Sequence, residues 1–532
     1  MVLEMEPEAD AITGFVIRPR LDHRGFPLAT DDQRRQANRD WIDRLDPDAI
    51  CALAAQHYGD GGSRGAPCCR VVDKRNGSFN ACFFVELDGV GEARPSSTAA
   101  KWVVRIPIAT ATEDDPWPRL QSEVATMRFL QQHTRIPIPR IHAFGRGARL
   151  RKPGASPTAD ETTAAAEPPP DTQSFLIMDF VEGEPLNTFR LETLDQASRR
   201  AFFSQLLDML ADLRALEFPL AGSLLLEEAD AGGRRGDVPA LGPVQFLPST
   251  PLCLPRPPPP PFSSARAYMR YRFRMLSAHY QEPYRDHDVD DVRRELFALY
   301  HLRAAFDQVA ASSAGPHGGP FILDHADLHP ANILVDSAWR IRGVLDWECA
   351  ATVPRCVFAP PSFATGHDAR VSGLQRARQR AIHADFQAVL AEKAKAGTIY
   401  ATLQDEWYGA AASVGHPELA AADRLFCIAR CLRRPSEAAA SFYEFLAPES
   451  MRPRLSDGKE DHEEKELWRL RLREQLKGFF DEHTDLAAEA QRRADQCARY
   501  TAFLKENGLY ETERDRVWAQ IQAIKSKFPL LK

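Results

Sequence analysis

The segment that most constrains this 532-residue chain reads FILDHADLHPANILVDSAWRIRGVLDWE and spans residues 321–348. Apolar runs separated by turn-forming residues predict a short strand, a loop at residues 325–332 and a hairpin of two strands that ends at Asp346. Asp327 and Asn332 lie in the loop, and Asp346 follows the second strand of the hairpin. We therefore expect the hairpin to bring these three polar side chains together.

The spacing of these residues matches the kinase catalytic-loop pattern H-x-D-L-x-x-x-N followed by a metal-binding Asp. Transfer of a phosphoryl group disperses negative charge, so catalysis depends mainly on positioning and on divalent metal ions. In that chemistry Asp327 would orient an acceptor hydroxyl, whereas Asn332 and Asp346 would offer oxygen ligands to Mg²⁺. Each residue alone fits an ordinary turn or helix cap. Their order around one hairpin favours a phosphoryl-transfer site, with His325 holding the loop.

HADLHPANILVD followed by VLDWE resembles the corresponding segments of the aminoglycoside phosphotransferase family, a group of small-molecule kinases related to choline kinases. The resemblance extends from about Ala49 to Pro361. It implies an α+β, bilobal protein-kinase-like fold, with a small β-rich N-terminal lobe and a large, mainly helical C-terminal lobe. It also implies ATP and Mg²⁺ as cofactors and a small hydroxyl-bearing molecule as acceptor, which the motifs do not identify. The helical region beyond Gly366 would complete the acceptor pocket, where acidic residues suit cationic acceptors.

The resemblance implies that two segments of the small lobe contact the nucleotide. One is the turn of a hairpin predicted around KRNGSFN, whose backbone N–H groups would cover the phosphates, although a turn with one glycine also fits an ordinary hairpin. The other is the end of the strand SFLIMDFV, which would form the hinge beside the adenine. The candidate residues are Gly77, Ser78, Asn80, Met178, Asp179 and Val181.

The phosphate-binding cation is the main departure from the family pattern. Where the third strand, KWVVRIP, is expected to carry a lysine, this chain has Arg105. A guanidinium keeps the positive charge and can bind phosphate bidentately, but its reach and planar shape differ from those of an ammonium group. Lys101 lies on the same strand face but near the start of the strand, so Arg105 is the better candidate. Glu123, on a helix predicted at residues 117–133, would pair with Arg105.

Changes in composition predict where the parts of the chain begin and end. The parts are an N-terminal extension at 1–47, the small lobe at 48–183, the helical large lobe with the catalytic hairpin at 184–450, and a charged helical region at 451–532. Residues 145–172 are rich in Arg, Pro, Ala, Thr and Glu, which predicts a disordered insertion. The loop at 227–262 ends in LPRPPPPPF and is predicted to be a surface spacer, with a polyproline ligand for an SH3- or WW-type partner as the alternative.

The composition argues against several other classes of protein. The net charge is −7, so the chain has no excess of positive charge to bind phosphates, and a nucleic-acid partner is not expected. No run approaches the roughly 18 apolar residues that a membrane span needs. The first residues are acidic and lack the pattern of a secretory signal, so a cytoplasmic location is expected. The ten cysteines form no CxxC pair and are expected to be reduced and mostly buried.

Two alternatives to an active small-molecule kinase remain open. A catalytically inactive member of the same fold, acting as a binding or scaffold protein, is suggested by Arg105, by the single glycine at 77 and by the lack of a further Asp soon after Glu348. The intact Asp327, Asn332 and Asp346 argue against it. A protein kinase ranks third, because its activation segment would end in an A-P-E-like motif, for which APPSF is a poor match.

Overall fold

The computed structural model describes residues 17–58, 68–88, 99–109, 115–152, 172–226, 239–245, 252–253, 258–312, 320–367, 373–409, 419–451 and 462–510. Within them the chain is mixed α/β, with one five-stranded sheet, several two- and three-stranded sheets and many helices. Parts of the predicted insertion, of the Pro-rich loop and of both terminal regions lie outside the described residues.

The strands are short except in the five-stranded sheet. In chain order they are β1 (Arg18–Pro19), β2 (Cys68–Asn76), β3 (Asn80–Asp88), β4 (Ala100–Pro107), β5 (Ile141–Ala148), β6 (Gln173–Asp179), β7 (Glu184–Pro185), β8 (Glu217–Phe218), β9 (Ser223–Leu224), β10 (Leu241–Gly242), β11 (Leu252–Cys253), β12 (Phe321–Asp324), β13 (Ile333–Val335), β14 (Ile341–Val344) and β15 (Ala351–Pro354).

The helices dominate the second half of the chain. In chain order they are α1 (Asp31–Asp43), α2 (Pro47–Gln56), α3 (Trp117–His133), α4 (Thr188–Thr193), α5 (Gln196–Arg214), α6 (Ala265–His279), α7 (Val289–Ser312), α8 (Ser362–Thr365), α9 (Gly373–Ala396), α10 (Thr398–Tyr408), α11 (Leu419–Arg433), α12 (Ala438–Ser441), α13 (His462–Glu482) and α14 (Thr484–Glu506). A 3₁₀ turn at Pro330–Asn332 leads directly into β13.

The five-stranded sheet is antiparallel throughout, with strand order β2-β3-β4-β6-β5. Alternate residues of its central strand β4 pack into different clusters, as the two-residue period of a strand requires. Trp102, Val104 and Ile106 join the cluster that contains residues of α1 and α2. Val103 joins the cluster that contains α3 and most of the helical part. Because of this alternation, Arg105 lies on the same face as Val103, towards α3.

Helices cover both faces of this sheet, and their sequences explain why they form. Asp46 caps α2 by accepting a hydrogen bond from the Asp48 N–H at 3.1 Å, and Pro47 occupies the first helical position. The stripe of α3 that the sequence predicts, Leu120 to Leu130, is buried against the other face. Trp41, at the end of α1, packs with α2 and the sheet, so this part of the N-terminal extension belongs to the core.

Two three-stranded sheets hold the segment that follows β12. One has the order β15-β12-β8 and the other β14-β13-β7, so the loop after Asp324 connects one sheet to the other. β12 is buried along its whole length. The hairpin β13–β14 that was predicted from Ile333 onwards is present, with a register shift between Leu334 and Val335. The loop between the two sheets is thereby fixed at both ends.

The insertion predicted at 145–172 begins later than its composition suggests. β5 continues to Ala148 and pairs with β6, with Gly145 opposite Phe175 and Ala148 opposite Gln173. Leu150 is buried, and its N–H donates to the Gln173 side chain at 2.9 Å. The composition is misleading here because a single buried leucine and strand pairing anchor an otherwise polar segment. Residues 153–171 lie outside the described part of the chain.

The loop predicted at 227–262 is also anchored where it is described. Leu241–Gly242 pairs with β9, and Leu252–Cys253 pairs with β1. The proline run ends at Phe262, which is 3% exposed and bridges to Ala221. Phe262, at the end of this run, is therefore part of the core. Residues 227–238, 246–251 and 254–257 lie outside the described part of the chain.

Three further observations concern the described residues. Among the described residues, no helix is both long and apolar enough to cross a bilayer. The cysteines that are described are free thiols, and the buried ones are Cys349, Cys427, Cys431 and Cys497. The C-terminal helix α14 returns to the N-terminal extension, where the Gln496 side chain donates to the Gly25 carbonyl at 2.6 Å.

Candidate active site

The loop after β12 is held in place by His325, which is almost completely buried. Its Nε2–H donates to the Leu345 carbonyl at the end of the hairpin at 2.8 Å, and its Nδ1 accepts from the Asp327 N–H at 3.3 Å. Burial lowers the pKa of His325, which keeps the ring neutral, with one donor and one acceptor nitrogen. His325 thus ties the start of the loop to the residue that precedes Asp346, as the sequence suggested for it.

Asn332 connects the same loop to the end of the hairpin. Its side-chain N–H donates to the Asp327 carbonyl at 3.0 Å, and its own carbonyl accepts from the Leu345 N–H at 2.9 Å. The amide nitrogen is therefore engaged, and the side-chain oxygen is the atom that a cation could reach. Asn332 is buried. These hydrogen bonds bring Asp327, Asn332 and Asp346 into one neighbourhood.

Two residues at the candidate site have left-handed backbone conformations, and a third, Trp339, lies in the turn of the hairpin. Ala326 has φ 62° and Asp346 has φ 68°. Asp tolerates this region better than most residues, but Ala does so at a cost of roughly 1–2 kcal/mol. Strain of this kind persists where the surroundings over-determine the backbone, and it clusters at functional sites. The two strained positions immediately precede Asp327 and Trp347.

Arg105 is the centre of a buried cluster of charges. Its guanidinium forms ion pairs with Glu123 on α3, with Asp346 at 2.5 Å and with Glu348 at 3.2 Å. Glu348 also accepts a hydrogen bond from the Asn80 side chain at 3.2 Å. The pairing of Glu123 with Arg105 that the sequence predicts is present. Asn80 is the one residue of the predicted phosphate loop that contacts the cluster in the described part of the chain.

Three carboxylates share the single guanidinium of this cluster, so their pKa values move apart. Burial raises the pKa of Glu123 to about 8, although Arg105 opposes that shift. Burial also raises the pKa of Glu348. Burial has the same effect on Asp346, but the Arg105 guanidinium outweighs it and lowers the pKa of Asp346 below its usual range. Asp346 is therefore the carboxylate that stays ionised, which suits a metal ligand.

The tip of the β2–β3 hairpin is an ordinary tight turn. Gly77 donates its N–H to the Asn80 carbonyl at 2.9 Å, and a Cβ added to Gly77 would meet nothing within 4 Å. The Ser78 carbonyl accepts a long hydrogen bond of 3.5 Å from Asn38. The geometry of this turn therefore does not require glycine at position 77. This fits the alternative interpretation of the turn as part of an ordinary hairpin.

The predicted hinge follows β6. Met178 is buried, opposite Val103 of β4, and the Asp179 carboxylate pairs with the His142 ring at 2.6 Å. The Asp179 N–H is already bonded to the Arg140 carbonyl at 2.9 Å. Val181 lies against β14, where a Cβ added to Gly343 would meet its side chain at 3.0 Å. The segment therefore runs beside the hairpin that carries the loop residues.

Asp327 contacts the helical part of the chain through Arg434. Its carboxylate accepts a hydrogen bond from Arg434 at 2.9 Å and lies 3.6 Å from the His329 ring. Burial raises the pKa of Asp327, and Arg434 and His329 oppose that rise. Sequence reasoning missed Arg434, because it follows α11 more than a hundred residues downstream and no local pattern marks it. It also left the role of Glu348 open.

The described residues contain no group of three or more His, Cys, Asp or Glu side chains placed to hold a metal ion. Mg²⁺ is commonly held by one or two protein oxygens, with phosphates and water as its other ligands. The Asn332 side-chain oxygen and the ionised Asp346 carboxylate provide such a pair. The donor set therefore fits a magnesium–nucleotide complex better than a metal ion held by protein alone.

Residues 80–357 match the model of the phosphotransferase enzyme family (APH), which is just over half of the chain. A curated relative, the clavilactone A biosynthesis cluster protein Y of Ampulloclitocybe clavipes, is 28% identical over 245 residues, which make up 44% of this chain and 50% of that protein. The chain thus spans about half the length of this relative.

Solved structures that resemble the chain come from phosphotransferases. The apoenzyme of a macrolide 2'-phosphotransferase from Brachybacterium faecium is 18% identical, with a TM-score of 0.32, and the match covers 76% of this chain and 99% of that one. A streptomycin–ATP ternary complex of the aminoglycoside phosphotransferase APH(2'')-IIa is 14% identical, with a TM-score of 0.35, and the match covers 69% of this chain and 91% of that one.

Proposed function

The chain belongs to the phosphotransferase enzyme family, and on that premise we propose that it transfers the γ-phosphoryl group of ATP, in the presence of Mg²⁺, to a hydroxyl group of a small molecule. The observation that most supports this proposal is the connected set of hydrogen bonds from Asp327 through Asn332 and His325 to the residue before Asp346. It links the candidate base to the candidate metal ligands through one rigid loop.

In this mechanism Asp327 positions the acceptor. Its carboxylate accepts the hydrogen bond of the acceptor hydroxyl and takes up the proton as the hydroxyl oxygen bonds to the γ-phosphorus atom. The bond between that phosphorus and the bridging oxygen breaks, and ADP leaves with the bridging oxygen. Arg434 restrains the Asp327 carboxylate and favours its ionised form, which counters the effect of burial.

The nucleotide phosphates would be held between the sheet and the hairpin. Asn332 and Asp346 would hold Mg²⁺, which when bound neutralises phosphate charge and orients the γ-phosphate for in-line attack. Arg105, held by Glu123, would contact phosphate oxygens once Asp346 turns from the guanidinium to the metal site. Asn80 fixes Glu348 beside Arg105, and Gly77 and Ser78 would cover the phosphates.

The adenine would lie beside the segment that follows β6. The N–H groups of Asp179 and Phe180 already donate to the carbonyls of Arg140 and Lys101, so hydrogen bonds to the base would come from the backbone around Val181. Met178 would border the adenine pocket from the core side. In this arrangement residues 48–183 form the small lobe and 184–450 the large lobe, with 1–47 and 451–532 as appended regions.

A binding protein without catalytic activity is the second candidate. It is favoured by the fact that the key charges already satisfy one another, with Arg105 paired to three carboxylates and Asp327 paired to Arg434. A catalytic site would have to exchange some of these contacts for ligand. A binding protein would have no need to do so.

Acceptor-dependent release of ADP distinguishes the two candidates. We would screen hydroxylated small molecules with the wild type and then compare the Asp327→Asn variant on any molecule that stimulates ADP release. Loss of a general base is expected to lower turnover by roughly 10²–10⁴-fold, while ATP binding persists. Unchanged turnover by Asp327→Asn would contradict the role of Asp327, and no stimulation by any hydroxylated molecule would favour the binding protein.

A further inference from the structure

A cavity of about 250 Å³ is lined in part by Asp327, and Arg105 is not among its lining residues. Its wall is formed by α4, by the loop at residues 327–330, by the segment at 360–365, and by α9 and α11 with the residue that follows α11. An acceptor whose hydroxyl meets Asp327 would therefore occupy this cavity. The groups in its wall define which acceptors fit.

Three guanidinium groups line the cavity, those of Arg430, Arg433 and Arg434. The wall contains two carboxylates among the described residues, Asp327 and Glu192. Asp327 is assigned to the acceptor hydroxyl, so Glu192 alone would be left to meet an ammonium group. A polyamine such as an aminoglycoside would bring several ammonium groups to a wall that offers them one carboxylate besides Asp327, and it would bring them close to the guanidinium of Arg434.

Two of the three arginines have structural partners other than Asp327. Arg430 forms an ion pair with Glu437 and donates to the Ser362 hydroxyl at 3.0 Å. Arg433 donates to Asp324 at 3.1 Å and to backbone carbonyls of the segment at 359–360. These contacts shape the wall and leave Arg434 as the arginine best placed to bind a ligand.

Arg434 differs from the other two in its exposure and in its contacts. A third of its side chain is exposed, against 15% for Arg433 and 8% for Arg430. Its guanidinium has one hydrogen-bond partner among the described residues, Asp327 at 2.9 Å. A guanidinium carries five N–H donors in a planar fork, so donors remain for a carboxylate while the bond to Asp327 persists.

The remainder of the wall is largely apolar. The apolar members are Leu191, Leu328, Pro330, Pro360, Phe363, Ile382 and Phe426. A concave site with apolar walls and a few convergent polar groups suits a ligand with an apolar skeleton whose orientation is fixed by one charged end.

We propose that the acceptor is a hydroxylated carboxylic acid with an apolar skeleton, whose carboxylate is bound by Arg434 while its hydroxyl meets Asp327. This inference rests on the proposed phosphotransferase function. It departs from the expectation of acidic residues and a cationic acceptor, because the wall beside Asp327 is rich in arginine. Arg434 is then a specificity-determining residue as well as a partner of Asp327.

Three probes that share a hydroxyphenylethyl skeleton and carry a different charge at one end test this proposal. They are 3-(4-hydroxyphenyl)propionic acid, its methyl ester and tyramine, which combine the same phenol with a negative, a neutral and a positive end. Affinities would be measured by ligand-observed NMR with the full chain, for the wild type, Arg434→Gln and Arg434→Lys. Arg135→Gln, which removes an exposed arginine paired with Asp212, is the matched control.

The wild type and Arg135→Gln are expected to bind the acid roughly tenfold or more tightly than the ester and the amine, as for a charge-assisted hydrogen bond. Arg434→Gln should lose this preference and Arg434→Lys should retain part of it. The proposal would be overturned if the wild type shows no preference for the acid, including by binding none of the probes, or if Arg434→Gln keeps the preference.

A separate titration with magnesium–ATP tests the proposed phosphotransferase function independently of the carboxylate site. Arg434→Gln is expected to unfold cooperatively and to bind magnesium–ATP as the wild type does, because Arg434 has no contact with the Arg105 cluster among the described residues. If the wild type binds no ATP but prefers the acid, the phosphotransferase function fails while the carboxylate site stands. If it binds and hydrolyses ATP but prefers the amine, the carboxylate site fails alone.

Discussion

The guanidinium of Arg105, on the central strand of the five-stranded sheet, donates a hydrogen bond of 2.5 Å to the carboxylate of Asp346, at the end of the β13–β14 hairpin. The same guanidinium holds Glu123 on α3. One buried cation thus joins the sheet, the helix beside it and the hairpin. Its removal would affect both folding and the binding of any ligand that contacts both the sheet and the hairpin.

Replacing Arg105 with Met is expected to destabilise the protein strongly. The substitution leaves the ionised Asp346 without its counter-charge and the buried Glu123 without its hydrogen-bond donor, and breaking a buried ion pair on one side costs about 3–5 kcal/mol. Urea denaturation would measure it. Arg70→Met removes an exposed ion pair with Glu86 on the same sheet and is expected to have little effect. Equal midpoints for the two variants would contradict the account of the cluster.

The pH dependence of stability should change when Glu123 is replaced by Gln. Burial raises the pKa of Glu123 to about 8 in the folded state, against 4.5 in the unfolded state, so the folded protein binds the extra proton between these values. This contribution to stability is present in full below pH 4.5 and is lost as the pH rises through 8. Gln imitates the protonated acid at every pH.

Relative to the wild type, Glu123→Gln should therefore gain stability between pH 5 and pH 8, by on the order of 2 kcal/mol. Denaturation curves at several pH values would show it. Glu86→Gln, whose carboxylate pairs with Arg70 at the surface, is the control and should show no comparable gain. A stability difference between Glu123→Gln and the wild type that does not vary with pH would contradict the raised pKa.

His325 is expected to stabilise the folded protein through its two hydrogen bonds. His325→Phe keeps a ring beside Trp347, whose centroid lies 4.4 Å away, but leaves the Leu345 carbonyl and the Asp327 N–H without their partner. An unsatisfied buried polar group costs about 1–3 kcal/mol. Thermal unfolding would measure the loss.

His133→Phe is the matched control for His325→Phe. His133 also bonds a backbone carbonyl through its ring, that of Phe129 at 2.8 Å, but it lies on the surface, where water can replace the bond. This variant should unfold close to the wild type. If His325→Phe is as stable as His133→Phe, the hydrogen bonds of the neutral His325 ring do not stabilise the loop.

The local parts of the fold could be predicted from the sequence, because short-range periodicity determines them. Strands β3 and β4, helix α3 and the hairpin around Asp336 lie where the pattern indicates. The pairing of Arg105 with Glu123 could be predicted because the family pattern has such a pair. These features need no knowledge of how distant segments meet.

The contacts between distant segments could not be predicted. Asn80 meets Glu348 across 268 residues, and Arg434 meets Asp327 across 107. Neither pair follows from composition or spacing, since many arginines and glutamates of the helical region were equally good candidates. The start of the insertion was misplaced for a related reason, because the burial of Leu150 depends on Gln173 across the gap.

We expect the loop and the hairpin to bind a magnesium–nucleotide complex, and calorimetric titration of ATP with and without Mg²⁺ would detect that binding. The proteins compared would be the wild type, Asp346→Ala, and Asp212→Ala as a carboxylate control on α5. The wild type and the control are expected to bind ATP only with Mg²⁺, and binding by Asp346→Ala is expected to be weaker by roughly tenfold or more. No binding by the folded wild type, or binding that is indifferent to both Mg²⁺ and Asp346, would contradict this expectation.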